Sequence, residues 1–262
     1  MTVVMCPARS PARTGFTDAV RTLLAGVAML LSMAGWPALG AEFTPEQRDQ
    51  IVQIVRDALR QDPGILREAA AAIQSDQAKR EADAARAAIA ANHAAIYDPA
   101  DPFAGNRQGS VTVVEFYDPR CPYCRQLEPL MATWLEHEPD ARLIYKDIPI
   151  LGPPSVLGSR ALLAAQRQGG YARLRDAIMS GPPNLTDASI RDDAQRLGLD
   201  WARMQRDMLD PAIQQRLDNN VRLAKLLGIE GTPAFVVGEQ LVVGSEMAEL
   251  QAAVASLRAR RQ

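Results

Sequence analysis

A strand-like apolar run, Val111-Thr112-Val113-Val114-Glu115-Phe116-Tyr117, ends just before Cys121-Pro122-Tyr123-Cys124. That order constrains the fold more than anything else in the chain. A buried strand must end at the mouth of a helix whose first turn carries both cysteines. Two cysteines so spaced can close a small disulfide, and the positive end of the helix favours a thiolate on the first of them. A thiolate both attacks disulfides and leaves from them, so the pair is expected to suit thiol–disulfide exchange. Cys121 opens the helix, and its sulfur is expected to meet solvent as the nucleophile. Cys124 lies one turn inward and is expected to be the resolving thiol. A static disulfide or half of a metal site are the competing readings of such a pair.

The first forty residues read as an export leader. Arg9, Arg13 and Arg21 precede a short apolar stretch over residues 23–34, and Ala38-Leu39-Gly40 offers small residues for cleavage before Ala41. A periplasmic location follows as an expectation. Cys6 would leave with the leader, so the mature chain keeps only Cys121 and Cys124. A disulfide-stapled scaffold needs more cysteines, and a zinc site needs two more ligands. His93 and His137 lack ligand spacing to the pair and read as surface residues, so no metal and no cofactor is expected. The formal charge of -2 stays small once the leader is gone, which gives no support for nucleic acid as a partner.

Aromatic residues make up only 5% of the chain, and its many alanines point to a helix-heavy protein. Residues 41–97 read as a helical arm. Thr44-Pro45-Glu46-Gln47 has the form of a capping box with proline at the first helical position. Ile51, Val52, Ile54, Val55, Ala58 and Leu59 then form an apolar stripe, and Asp62-Pro63 starts a second, alanine-rich helix through Leu66, Ile73 and Ile89. Two helices alone cannot bury that stripe, so it packs on its own domain or on another copy of the chain. Residues 98–108, broken by proline, glycine and aspartate, read as a linker.

From residue 109 to 262 the pattern is α/β. A strand over 111–117 precedes a helix over 121–136, with Leu127, Leu130, Met131, Trp134 and Leu135 on its inner face. A second strand spans 142–148, and a helical insert covers about 155–227. Strands at 234–237 and 240–243 flank a tight Gly238-Glu239 turn, and a last helix runs from about 247 to 260. The predicted architecture is a thioredoxin-like α/β fold with an inserted helical domain, preceded by the helical arm.

Glu115-Phe116-Tyr117, Cys121-Pro122-Tyr123-Cys124 and Gly231-Thr232-Pro233 together resemble the DsbA-type branch of the thioredoxin superfamily, over the stretch from Gly109 onward. Phe43-Thr44-Pro45-Glu46-Gln47-Arg48, with Asp62-Pro63, Ile65 and Leu66, is similar to the helical N-terminus of the suppressor-of-copper-sensitivity (ScsC) group. That group includes oligomers that join through this region and act as disulfide isomerases, and monomers as well.

The resemblance implies a strongly lowered pKa at Cys121 and a cis Pro233 that sets the Thr232 backbone beside it, ready to pair with an extended substrate segment. Pro122 and Tyr123 would tune the balance of reduced and oxidised forms. Glu115 occupies the position of a buried carboxylate beneath the resolving cysteine, where burial should raise its pKa and let it exchange a proton with Cys124. Lys146 and Arg120 are further charges that could lie near the site or on the surface. The resulting expectation is an exported protein thiol–disulfide oxidoreductase acting on protein substrates, recycled by a membrane redox partner, and a homo-oligomer if the arm joins copies. Thr232 and the arm tilt it towards isomerase or reductase. A DsbA-type dithiol oxidase and a Cu(I)-binding copper-tolerance protein are the alternatives.

Overall fold

The computed structural model describes residues 43–260. The expected leader, Cys6 included, lies outside the described residues. The chain divides into two compact units, one ending at Ala70 and the other starting at Ala71.

The first unit holds helix α1 (Pro45–Gln61) and the start of α2 (Gly64–Ala91). Thr44 and Gln47 close the capping box reciprocally: Gln47 N donates to Thr44 Oγ1 at 3.2 Å and Thr44 N donates to Gln47 Oε1 at 2.9 Å. Asp62 then accepts from Gly64 N at 2.8 Å and turns the chain into α2. No residue of α1 is buried, and Ile54 is 68% exposed. The stripe of Ile51, Val52, Ile54 and Val55 therefore has no cover within its own unit.

The second unit contains the rest of α2, α3 (His93–Ile96) and a five-stranded sheet. Its strands are β1 (Phe103–Gly105), β2 (Val111–Tyr117), β3 (Ala141–Asp147), β4 (Ala234–Val237) and β5 (Gln240–Val243), in the order β1-β3-β2-β4-β5. β2 and β3 are parallel, joined through α4 (Pro122–His137), and all other neighbours are antiparallel. Helices α5 (Pro153–Gln166), α6 (Tyr171–Ser180), α7 (Asp187–Arg196), α8 (Trp201–Met208) and α9 (Pro211–Leu226) form the insert, and α10 (Met247–Ala259) closes the fold. This is the predicted thioredoxin-like architecture. Caps mark the breaks within the insert: Thr186 accepts from Ser189 N, Asp200 from Arg203 N and Asp210 from Ala212 N. The β4–β5 turn needs a positive φ, which Gly238 supplies at 60°.

Strand alternation splits the core in two. Val113, Tyr117, Leu143, Tyr145 and Phe235 face α4, α10 and the insert. Val114, Phe116, Ile144 and Val236 face the opposite way, against Ile89 of α2, Ile96 of α3, and Leu223 and Ala224 of α9. The end of the helical arm thus supplies part of the thioredoxin core. Ile96 is fully buried, and Ile96→Val should cost about 1 kcal/mol of stability in a denaturant melt.

Three details depart from the sequence reading. The stretch expected as a linker contains β1, which pairs Phe103 with Ile144 because the edge of β3 presents backbone groups that need partners. Asp101, from the same stretch, is buried and ion-paired with both Lys146 and Arg216. Leu130 is 53% exposed, since Leu127, Met131 and Trp134 already define the buried line of α4 and Leu130 falls off it. Among the described residues no helix is long and apolar enough to cross a membrane.

Candidate active site

The register of β2 brings Glu115 and Tyr117 onto the α4 side of the sheet, opposite Tyr145 and Asp147 of β3. The chain leaves β2 through Asp118, which organises the loop that presents the cysteines. Its carboxylate accepts from Arg120 N at 2.8 Å, Ile150 N at 2.9 Å and Leu151 N at 3.0 Å, and its carbonyl accepts from Cys121 N at 3.0 Å. Arg125, in the first turn of α4, donates to the carbonyls of Ile178 (2.7 Å) and Gly181 and ties the helix start to α6. The pair is therefore mounted on a braced loop.

Cys121 is the N-cap of α4 and Pro122 its first helical residue. Both cysteines are free thiols. Cys121 is only 4% exposed, less open than expected, because the Thr232 loop lies over it: Sγ donates to Thr232 O at 3.2 Å. The Thr232–Pro233 peptide is cis, the isomer the resemblance implied. The Cys121 thiol is brought from near 9 down to about 5, chiefly by the Cys124 thiol, then by the Thr232 side chain and the N–H groups at the helix start, against the effect of burial. Cys124 is fully buried, and its pKa is pushed well up by its hydrogen bond to Cys121, by burial and by the Glu115 charge. The two sulfurs are thus pushed in opposite directions, Cys121 towards the thiolate and Cys124 towards the thiol. Tyr123 stands on the rim, 60% exposed.

Glu115 is 1% exposed. Burial raises its carboxyl to about 7, with Arg175 pulling it down and Glu128, Asp147 and Cys121 pushing it up. Arg175 comes from α6 in the insert. It donates to Glu115 Oε2 at 2.9 Å, pairs with Glu128 of α4, and lies 4.4 Å over the Tyr117 ring and 4.1 Å over the Tyr145 ring. Below it, Asp147 accepts from Tyr117 Oη at 2.9 Å and Tyr171 Oη at 2.7 Å. Burial raises the Asp147 carboxyl to about 6, opposed by those two hydroxyls.

Cys121, Cys124, Glu115, Pro122, Tyr123, Thr232 and Pro233 therefore gather in one region at the start of α4. Lys146 does not join them. It alternates with Tyr145 and Asp147 onto the far side of the sheet, where its ammonium pairs with Asp101 and donates to Ala95 O at 2.5 Å. Arg120 instead holds the carbonyls of Leu151 (2.9 Å) and Pro183 (3.3 Å). His93 and His137 are both exposed. Among the described residues no cluster of three or more His, Cys, Asp or Glu could hold a metal ion.

The sequence reading missed Asp118, Arg125, Glu128, Asp147 and Arg175. A signal for Arg175 was present: Tyr171, Leu174, Arg175 and Ile178 recur at helical spacing and all four are buried. An arginine in phase with an apolar face requires a buried acid as its partner.

A five-stranded sheet with a dithiol at the N-terminus of a helix and a facing cis-proline loop defines the thioredoxin-fold class that includes the thiol–disulfide oxidoreductases. Within it, the chain belongs to the DSBA-like thioredoxin domain family, which it matches over residues 112–255. Residues 47–80 match the copper resistance protein ScsC N-terminal domain. A thioredoxin-like oxidoreductase from Silicibacter pomeroyi is 39% identical, with 65% of this chain and 99% of that one covered and a TM-score of 0.61. ScsC of Proteus mirabilis in a transitional conformation is 31% identical, with 84% of this chain and 99% of that one covered and a TM-score of 0.60. The curated relative Na(+)/H(+) antiporter NhaA 1 of Salinispora arenicola is 33% identical over 155 residues, or 58% of this chain. The chain spans about a quarter or less of the length of the Salinispora antiporters it matches.

Proposed function

We propose that the chain is an exported protein thiol–disulfide oxidoreductase in which Cys121 attacks, Cys124 resolves and Glu115 takes the Cys124 proton. The observation that carries this reading is the split between the two thiols, one lowered to about 5 and the other raised, at a helix start facing a cis-proline loop. Cys121 as a thiolate forms a mixed disulfide with a protein substrate. The Thr232–Pro233 backbone offers an extended substrate segment a surface to pair with. Pro122 and Tyr123 set the balance between dithiol and disulfide. The family's usual setting supports the periplasm as the location and a membrane protein as the redox partner.

The direction is tilted towards isomerase or reductase, with copies joined through the arm. Supporting this are the match of residues 47–80 to the ScsC N-terminal domain and the uncovered stripe of α1. Recovery of scrambled ribonuclease, compared with oxidation of reduced ribonuclease, tests it on the full chain. Truncation of the whole arm is the wrong control, because Ile89 and Ile96 belong to the sheet's core. Ile51→Asp with Val55→Asp breaks the stripe at exposed positions instead. The expected result is a severalfold loss of scrambled-ribonuclease rescue and a smaller mass by light scattering, with thiol reactivity intact. Oxidation of reduced ribonuclease without any rescue of the scrambled form would establish the DsbA-type dithiol oxidase in its place.

A second reading, Cu(I) binding through the two thiolates, is favoured by the copper-resistance description of the arm's family. Its test is competition for Cu(I) against a colorimetric chelator, lost in Cys121→Ser.

A further inference from the structure

Glu128 stands one helical turn beyond Cys124 on α4, so a single helix carries the resolving thiol and a second acid. Arg175 reaches both carboxylates, with Nη2 on Glu115 and Nη1 on Glu128. One positive charge is thus divided between two acids. Glu128 is the outer one, its side chain 15% exposed against 1% for Glu115. Arg175 Nε and Glu128 Oε2 are buried with no hydrogen-bond partner among the described residues, so neither group is saturated by the pairing.

We propose that Arg175 and Glu128 are positioning residues for the resolving step: by holding part of the Arg175 charge, Glu128 sets how readily Glu115 takes the proton of Cys124. The inference rests on the pair being an exchange site and names residues that tune it. The groups coupled to Glu115 come from several elements: Asp147 and Tyr145 from β3, Arg175 from α6, Cys124 and Glu128 from α4, and Cys121 at the α4 N-cap, with the Tyr117 and Tyr171 hydroxyls close by on Asp147. Asp147 is already occupied by the Tyr117 and Tyr171 hydroxyls, so the Arg175 charge is the adjustable quantity.

In the mixed disulfide, Cys121 Sγ is bonded to a substrate sulfur. The Cys124 thiol gives its proton to the Glu115 carboxylate and attacks Cys121 Sγ. The Cys121–Cys124 bond forms as the bond to substrate breaks, and the substrate leaves as a thiolate that takes a proton from water. The pair is oxidised and the substrate sulfur reduced, so the electrons balance within the complex. An undivided Arg175 charge would make Glu115 a weak base, and its loss would leave Glu115 holding a proton already.

Mixing the dithiol full chain with dithiobis(nitrobenzoate) separates the steps, since Cys121 releases one coloured thiolate on attack and Cys124 a second on resolution. In Glu128→Gln the pH midpoint of the second phase is expected to fall by about one unit, tenfold in proton concentration, because Arg175 then bears on Glu115 alone. Glu128→Asp, which shortens the reach of the acid, should give a smaller shift in the same direction, and Glu115→Gln should remove the midpoint. A midpoint unmoved in both Glu128 variants, with both phases present, would overturn the proposal. An unaltered chain that releases a single equivalent would overturn the exchange reading itself, and this inference with it.

Discussion

Replacing Arg175 with methionine is expected to cost about 3–5 kcal/mol of folding stability, the range for removing one partner of a buried ion pair. The loss would not come from a missing attraction alone. Glu115 and Glu128 would be left facing each other in the interior, and the Tyr117 and Tyr145 rings would lose the cation lying over them. Glu115→Gln in the same chain should recover part of the loss, because a neutral amide needs no counter-charge. A denaturant double-mutant cycle reads the coupling, expected above about 1 kcal/mol. A cycle with no coupling would mean that Arg175 supports the fold through packing rather than through charge.

The second large effect concerns Cys121. Cys121→Ser should abolish exchange, and in the unaltered chain alkylation of Cys121 should be half-maximal near pH 5. The same shift makes stability depend on pH. With a folded pKa of about 5 against an ordinary value near 9, the unfolded chain holds more protons between those limits. The stability of the dithiol form is therefore expected to rise with pH across that window and to be lost as pH falls through 5. Between pH 5 and 8 the gain is at most about 4 kcal/mol, at 1.36 kcal/mol per pKa unit, and solvent screening lowers it. Glu115 acts in the opposite sense: its contribution is complete below its ordinary value of 4.5 and is lost as pH rises through about 7. Melts of Cys121→Ser should lack the rising limb and keep the Glu115 decline. A rising limb that survives in Cys121→Ser would place its origin elsewhere.

These predictions hang on residues of unequal visibility in the sequence. The strand before the cysteines, the Thr44 capping box, the turn into the second helix at Asp62-Pro63 and the two short strands around Gly238 are all legible, because each follows from local spacing and turn chemistry. The reach of Cys121 to solvent was misjudged, since the covering loop at Thr232 lies 111 residues away along the chain. The linker reading failed for a similar reason: Phe103 becomes a strand only because β3 has an open edge beside it.

The thioredoxin-like order of elements and the identity of the two sulfurs follow from periodicity and helix-start chemistry that act over a few residues. Which charges meet is set by how distant segments pack. Arg175 and Arg173 are two residues apart on one helix, yet the first is buried against Glu115 and the second donates to Leu197 O at the surface. Lys146 and Asp147 are adjacent in one strand and serve opposite faces of the sheet. Charge interactions depend on distance and burial across the whole fold, and neither quantity is written in local spacing.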